Sequence, residues 1–323
     1  MRSAVRAPET SDRARPLGRR TLNGRCRRNS HMKRRITVIG TGRMGAALAL
    51  AFLARGHAVT VWNRTVSKAK PLEAQGVRVA SSLDDAIAGA DIVVGNVSDY
   101  ATTTALLAPS AMTEALRGKL FVQLATGTPR HAKDAAAWAR AHGILYLDGA
   151  IMATPNFIGQ SGCTILYSGE KELFDANAPV FAALGGNAVY LGVDIGHANA
   201  LDAAILTVLW GSLFGTWHAA AICEAEGFPL DAFASTLGAT LPVLEGAMKD
   251  SVERIAKRRF AADETTMSSV ETCHASVRLI HAIGQEHGIH LGLSEALEVI
   301  FARASDGGRG THDMAAVYQG MKG

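Results

Sequence analysis

The stretch RRITVIGTGRMGAALALAFLARG, residues 34–56, decides the fold. It begins with a β-branched apolar run typical of a buried strand, passes through a glycine-rich turn, and continues as helix-forming residues. Gly40, Gly42 and Gly45 stand in the turn with the spacing G-x-G-x-x-G. The first glycine allows the tight turn, the second lets the backbone approach a pyrophosphate, and the third lets the helix pack closely on the strand. The stretch therefore predicts the first strand, turn and helix of a dinucleotide-binding domain.

The start of the predicted helix offers unpaired backbone N–H groups and a positive partial charge, both of which favour phosphate binding. Gly56 is placed to end this helix as its C-cap. We therefore expect the turn and the helix start to hold a cofactor through Gly40, Thr41, Gly42, Arg43, Met44 and Gly45.

The end of the second predicted strand, AVTVW, indicates which dinucleotide is bound. An NAD site usually places an acidic residue there to bind the ribose hydroxyls. This chain has Asn63, Arg64 and Thr65 instead, and Lys68 follows one turn later. Two cations and a hydroxyl are suited to a 2′-phosphate, so the cofactor is predicted to be NADPH. The alternative is that Arg64 and Lys68 only solvate the start of a helix.

Strands and helices continue to alternate along the first half of the chain. Strands are predicted at 77–80, 91–97, 119–124, 144–148, CTILYS and NAVYLG, with helices near 82–90, 100–108, 130–142 and 171–184. This alternation is typical of an α/β Rossmann fold with a doubly wound parallel sheet, whose ligands bind beyond the carboxyl ends of the strands. We therefore expect Val97, Ser98, Asp99 and Thr126 to border the nicotinamide, although residues of these types also form turns without any ligand.

The second half of the chain is predicted to be helical. Residues 196–227 contain no proline and could form an interdomain helix of roughly 45 Å. Its apolar residues run nearly all round, which predicts that other helices, including those of a partner subunit, enclose it. Further helices follow from about residue 228, and Asp313 is interpreted as a helix-start carboxylate. The expected organisation is a basic extension at 1–32, a Rossmann domain at 33–195 and an all-α domain at 196–323.

Composition excludes several other classes of protein. Hydrophobic residues make up 48% and charged residues 19% of the 323, as in a globular protein. The four cysteines lie far apart without metal-ligand spacing, so we expect a reduced, cytoplasmic protein without a metal site. No uninterrupted apolar run reaches the roughly 18 residues of a membrane span.

The net charge of +4 is unevenly distributed. Residues 1–35 carry a local charge of +10, so the remaining chain is mildly acidic. Few apolar residues and no periodicity predict that residues 1–32 are disordered. A nucleic-acid-binding arm, a targeting peptide and an upstream extension before a natural start at Met32 are the alternatives. The absence of interleaved aromatic residues argues against nucleic acid, and the absence of an apolar segment argues against a secretory signal.

Several motifs identify a family resemblance over Lys33–Gly323. The sequence resembles the NADPH-dependent imine reductases, which are relatives of the 6-phosphogluconate and β-hydroxyacid dehydrogenases. The resemblance rests on IGTGRMG (39–45), WNRTVSK (62–68), GTP (127–129), LDGAIMATPNFIG (147–159), TILYSG (164–169) and GHANALD (196–202). It implies hydride transfer from NADPH to the carbon of an imine, with an amine as the product. It also implies an intertwined homodimer.

The resemblance assigns Asp202 as the catalytic residue. The hydroxyacid dehydrogenases have a lysine at the position of Asp202. Asparagines follow it where this chain has Ile205 and Leu206. Two unit charges about 4 Å apart interact by around 4 kcal/mol at an effective dielectric constant near 20, so exchanging lysine for aspartate favours an iminium cation. Taken alone, a carboxylate near a helix start more often serves only the helix dipole.

The substrate pocket is expected to include Asp99, Met152, Thr154 and Trp210, and also His274 and residues around Val243, where a second subunit completes it. Trp210 stands where related reductases often have tyrosine, and its alternative role is core packing. Two alternatives to an imine reductase remain. One is a β-hydroxyacid dehydrogenase or other carbonyl reductase using NADP(H), and the other is a cofactor-binding sensor without turnover.

Overall fold

Eight strands of one sheet lie within residues 33–321, the part of the chain that this computed structural model describes. The predicted basic extension at 1–32 falls outside the described residues. The strands are β1 (Arg35–Ile39), β2 (Ala58–Trp62), β3 (Arg78–Val79), β4 (Ile92–Gly95), β5 (Leu120–Gln123), β6 (Leu145–Ile151), β7 (Thr164–Gly169) and β8 (Asn187–Tyr190).

The strand order confirms the doubly wound architecture. The order is β3-β2-β1-β4-β5-β6-β7-β8, and β1 to β6 pair in parallel. Strands β2 and β3 are added on one side of β1, and β4 to β8 are added on its other side. The gap between β1 and β4 is therefore the switch point at which such sheets bind ligands. The carboxyl ends of β1, β2, β4 and β5 therefore meet at one edge.

One pairing differs from the predicted parallel sheet, because β7 runs antiparallel to β6. A parallel connection needs a crossover, usually a helix. The residues between these strands, 152–163, form only a one-turn 3-10 helix, Pro155–Phe157, and so cannot cross the sheet as a helix would. β8 then pairs in parallel with β7.

Helices cover both faces of the sheet. They are α1 (Arg43–Ala54), α2 (Val66–Ala69), α3 (Leu83–Ala88), α4 (Tyr100–Leu107), α5 (Ser110–Leu116), α6 (Pro129–Ala141) and α7 (Lys171–Phe181), with a 3-10 helix at Lys70–Gln75. The short helices α2 and α5 were not among the predicted helices. Buried residues of α1 and α7 form one core on the sheet, and those of α3 to α6 form a second core on the opposite face.

The rest of the described chain is helical, as predicted. It contains α8 (His197–Ala225), α9 (Leu230–Lys257), α10 (Val270–His287) and α11 (Gly292–Ala304), followed by a π-helical turn at Ser305–Arg309 and a 3-10 helix at Met314–Gly320. Asp313 accepts a hydrogen bond from the backbone N–H of Ala315 and lies 3.3 Å from the buried Arg254 guanidinium, so its role at a helix start is confirmed.

The interdomain helix α8 is largely uncovered by the rest of the described chain. Only Ala198, Asn199, Asp202 and His218 of its 29 residues are buried. By length and composition alone α8 could also cross a membrane, although small polar residues interrupt its apolar sequence. Residues 33–321 of a single chain therefore do not provide the enclosure that the apolar sequence of α8 predicts.

Candidate active site

The glycine turn at the end of β1 has the geometry that its sequence predicts. Gly40 has a positive φ of 97°, and a Cβ atom there would overlap the backbone of Asn96. A Cβ at Gly45 would overlap the carbonyl of Gly40, so α1 can pack this closely only with glycine. A Cβ at Gly42 would meet no atom within 4 Å. The side of the turn at Gly42 is therefore open to a ligand, as a pyrophosphate requires.

The residues beside the turn also fit a bound dinucleotide. Thr41 is buried, its backbone N–H donates to Asn63 Oδ1 at 3.1 Å, and its hydroxyl has no partner within the described chain. Arg43 is exposed at the start of α1, whereas Met44 packs against the core. The backbone N–H groups at the start of α1, which no side chain caps, and the unpartnered Thr41 hydroxyl suit phosphate oxygens.

A cleft of about 170 Å³ beside the turn gathers the residues predicted to bind the 2′-phosphate. Arg64 and Lys68 both line it, and no lining residue carries a carboxylate. The remaining lining residues are Gly40, Trp62, Asn63, Thr65, Val97, Ser98, Thr102 and Leu106. The structure therefore brings the predicted cations together with two residues from the end of β4, and the site fits NADPH.

Asp202 lies at a second and larger cleft, with a volume of about 520 Å³. The residue is only 5% exposed. Its carboxylate makes no hydrogen bond or ion pair with the described residues, and burial raises its pKa above the ordinary value. Met152 and Thr154 line the cleft as predicted, together with Ile151, Ala153, Phe157, Gly162, Ile205, Leu206 and Leu209.

The lining residues from α8 follow a simple helical register. Ile205, Leu206 and Leu209 stand three, four and seven positions after Asp202, so they share its face of the helix. Sequence reasoning could have found them from this spacing. Trp210 comes next along the chain but is 58% exposed and is not among the residues that line the cleft.

Asp99, Thr126 and His274 also line neither cleft. Asp99 caps α4 by accepting the backbone N–H of Thr102 at 2.6 Å, because it directly precedes the free donors of the first turn. Thr126 is exposed just beyond β5. His274 is buried in α10, where its Nε2 lies 2.8 Å from a carboxylate oxygen of Glu298.

A buried polar network, which sequence reasoning did not find, connects β6 to the first turn of α8. Asp148 is fully buried on β6, and both Tyr100 and Tyr146 donate hydrogen bonds to its Oδ2, at 2.6 and 2.8 Å. Asn199 donates to its Oδ1 at 2.7 Å. Burial raises the pKa of Asp148 to about 7, although the three hydrogen bonds act in the opposite direction.

Comparisons with known proteins agree with this geometry. Residues 35–192 match the model of the NAD-binding domain of 6-phosphogluconate dehydrogenase, and residues 194–323 match that of the C-terminal domain of NADPH-dependent reductive aminase-like proteins. An NADPH-dependent reductive aminase from Aspergillus oryzae is 32% identical over 90% of this chain and 98% of its own length.

Solved structures extend the comparison to the whole described fold. An imine reductase from Myxococcus stipitatus in complex with NADP+ is 45% identical, with a TM-score of 0.87 over 89% of this chain and 99% of the other. A reductive aminase from Aspergillus terreus in complex with NADPH and ethyl levulinate is 33% identical, with a TM-score of 0.83 over 90% of this chain and 100% of the other.

Fold and clefts together define a dinucleotide-dependent oxidoreductase with a Rossmann domain and a helical C-terminal domain. The chain belongs to the family of NADPH-dependent imine reductases and reductive aminases. The predicted family and fold are therefore confirmed. The roles of individual site residues stay predictions.

Replacing both cations of the smaller cleft tests the 2′-phosphate assignment. The double variant Arg64→Ala/Lys68→Ala should weaken NADPH binding by at least about tenfold per lost charge-assisted contact, because each is worth about 1.5–3 kcal/mol. NADH, which lacks the 2′-phosphate, should lose less than about threefold. Fluorescence titration with both cofactors measures the two dissociation constants. Arg55→Ala is the matched control, because Arg55 is an exposed arginine at the opposite end of α1, and equal losses for both cofactors would refute the assignment.

The raised pKa of Asp148 predicts a pH dependence of stability. Between the ordinary value of 3.8 and about 7, the folded chain holds a proton that the unfolded chain releases, so rising pH lowers stability. Asp148→Asn removes this contribution. The free energy of unfolding of the wild type should fall by about 2 kcal/mol relative to the variant between about pH 5.5 and pH 7.5. Denaturant unfolding at each pH measures it, with exposed Asp84→Asn as the control, and a constant difference would contradict the prediction.

Proposed function

We propose that Asp202 supplies the negative charge beside the carbon–nitrogen double bond that this enzyme reduces. The chain is an NADPH-dependent oxidoreductase of the imine reductase family, and NADPH supplies the hydride that the imine carbon accepts. The observation that supports the role of Asp202 is its buried, unpartnered carboxylate at an otherwise largely apolar cleft. A substrate cation is the partner that such a carboxylate lacks.

The chemistry of the imine explains why a carboxylate is useful. Protonation of the nitrogen makes the carbon a better hydride acceptor, and the ionised Asp202 carboxylate can accept a hydrogen bond from the iminium N–H. Opposite charges about 4 Å apart attract by around 4 kcal/mol at an effective dielectric constant near 20. Because burial raises its pKa, Asp202 also holds a proton more readily than an exposed aspartate does. Hydride transfer to the iminium gives the neutral amine.

The same electrostatics disfavour the hydroxyacid dehydrogenase alternative. A hydroxyacid is an anion, so Asp202 would repel it by an energy similar to the attraction for a cation. Ile205 and Leu206 supply hydrocarbon to the cleft where polar side chains would be needed to bind a carboxylate. The cleft therefore favours substrates that are apolar apart from the iminium group.

Substituting Asp202 tests its proposed role. Asp202→Asn and Asp202→Ala should both lower kcat for cyclic imines by about a hundredfold, which corresponds to a loss of about 2.7 kcal/mol in transition-state stabilisation. NADPH absorbance follows turnover, and fluorescence titration should show an NADPH affinity within about twofold of the wild type.

Two controls accompany this experiment. Asp231→Asn changes an exposed carboxylate in the first turn of α9 and should leave turnover unchanged. Replacing the imine by small hydroxyacids with NADP+ should give no absorbance gain with the wild type. Unchanged imine turnover in Asp202→Ala would contradict the proposed role.

We further propose that a second copy of this chain covers α8 in an intertwined homodimer. Large apolar residues of α8 are exposed, including Leu209, Trp210, Phe214 and Trp217. Soluble monomers rarely expose an apolar surface of this extent. The neighbouring α9 carries exposed Lys–Glu pairs, such as Lys249 with Glu245, which favours a protein partner over a lipid bilayer. A twofold axis would place the same helices of both copies against each other.

Sedimentation equilibrium tests the homodimer. The wild type should have twice the chain mass of 34.0 kDa. Phe214→Glu places a charge on the exposed face of α8 and should weaken association by at least about a hundredfold, because an unpaired buried charge costs several kcal/mol. Val193→Glu is the matched control, since Val193 is 78% exposed in the loop before α8. A monomeric wild type would overturn the proposal.

A further inference from the structure

The first turn of α8 is fixed to the sheet by two buried side chains. Asp148 of β6 and Ser168 of β7 lie opposite each other in the antiparallel register. Ser168 Oγ accepts a hydrogen bond from the backbone N–H of Ala198 at 3.0 Å, and Asp148 Oδ1 accepts one from the Asn199 amide at 2.7 Å. All four residues have no exposed surface, whereas α8 beyond Asp202 is largely uncovered.

The side-chain amide of Asn199 has three partners from three different segments. Its Nδ2 donates to Asp148 on β6 and to the hydroxyl of Tyr100 on α4, at 2.7 and 2.8 Å. Its Oδ1 accepts the backbone N–H of Gly127 at 3.2 Å. Both amide protons and the amide oxygen are therefore used, which fixes the orientation of the group. Losing Asn199 would leave two buried acceptors short of a donor and one backbone donor unpaired.

Gly127 belongs to the loop that follows β5 at the ligand-binding edge of the sheet. A Cβ at this glycine would overlap the ring of Tyr100, so the loop lies directly against that ring. The Tyr100 hydroxyl is in turn bonded to Asp148 and Asn199. One rigid cluster therefore fixes both the loop beside the cofactor edge and the first turn of α8.

Asp202 stands three residues after Asn199 and four after Ala198, one helical turn further along a shared face. Its carboxylate has no bond to the described chain that could hold it from another side. The position of Asp202 therefore depends on how the preceding turn is anchored.

We propose that Asn199 is a positioning residue for Asp202, with Asp148 and Tyr100 as its support. The cluster sets the distance between the Asp202 carboxylate and the cofactor edge of the sheet. Displacing a reacting group by about 1 Å can cost about a hundredfold in rate. This inference rests on the proposed role of Asp202.

The variant Asn199→Ala tests the proposal. It should lower kcat for a cyclic imine about tenfold to a hundredfold, while the dissociation constant for NADPH and the KM for the imine stay within about threefold. Asn177→Ala is the matched control, because it also removes a helical asparagine amide, which in α7 donates to the Leu173 carbonyl. It should leave kcat within about twofold of the wild type.

A double-mutant cycle separates positioning from general structural damage. If Asn199 acts through Asp202, then Asn199→Ala should change the residual turnover of Asp202→Ala by less than about twofold. Multiplicative losses would show that Asn199 acts independently of Asp202 and would overturn the inference. Tyr100→Phe, which keeps the ring and removes only the hydroxyl, serves in the same cycle if Asn199→Ala does not fold. It should lower kcat about threefold to tenfold.

The cycle also distinguishes the proposed role of Asp202 from the positioning role of Asn199. Full turnover in Asp202→Ala would refute the proposed role of Asp202 itself. Loss of turnover in Asp202→Ala combined with wild-type turnover in both Asn199→Ala and Tyr100→Phe would refute only the positioning role.

Discussion

A buried carboxylate without a hydrogen-bond donor is unfavourable unless a proton or a cation compensates for the water it has lost. Asp202 is in this situation, since its cleft offers hydrocarbon on nearly every side. In the proposed role of Asp202, this unfavourable state of the free enzyme is relieved when an iminium group enters the cleft. On that proposal, binding of the substrate cation and the chemistry of its reduction depend on the same uncompensated charge.

The two carboxylates near the start of α8 illustrate how environment divides roles between identical side chains. Asp148 is fully buried and receives three hydrogen bonds, so it serves as a fixed acceptor for the surrounding structure. Asp202, one turn beyond Asn199, receives none from the described chain. Because Asp148 already accepts three hydrogen bonds, its role is structural. The carboxylate oxygens of Asp202 accept none from the described chain, so they remain available to a ligand.

Local sequence was sufficient to predict the geometry of the glycine turn and the proximity of Arg64 and Lys68 to it. Gly40 and Gly45 are required by close backbone contacts within one strand–turn–helix unit, and Arg64 and Lys68 lie one helical turn apart after β2. The antiparallel β7 was missed because an alternating pattern of strands and helices does not specify strand direction. His274 and Asp99 were assigned to the pocket from position along the chain, and their contacts place both outside it in the single chain.

The sequence by itself determined the Rossmann turn, the pair of cations Arg64 and Lys68 after β2 and the position of Asp202 on the long helix, because each depends on neighbours within about one or two helical turns. Only the tertiary structure brought Tyr100, Gly127, Asp148 and Asn199 together, across separations of up to 99 residues. Hydrogen bonds between such distant groups leave no periodic pattern in the chain. They form because folding of the sheet brings Asp148 of β6 and the loop after β5 to the place where α8 begins.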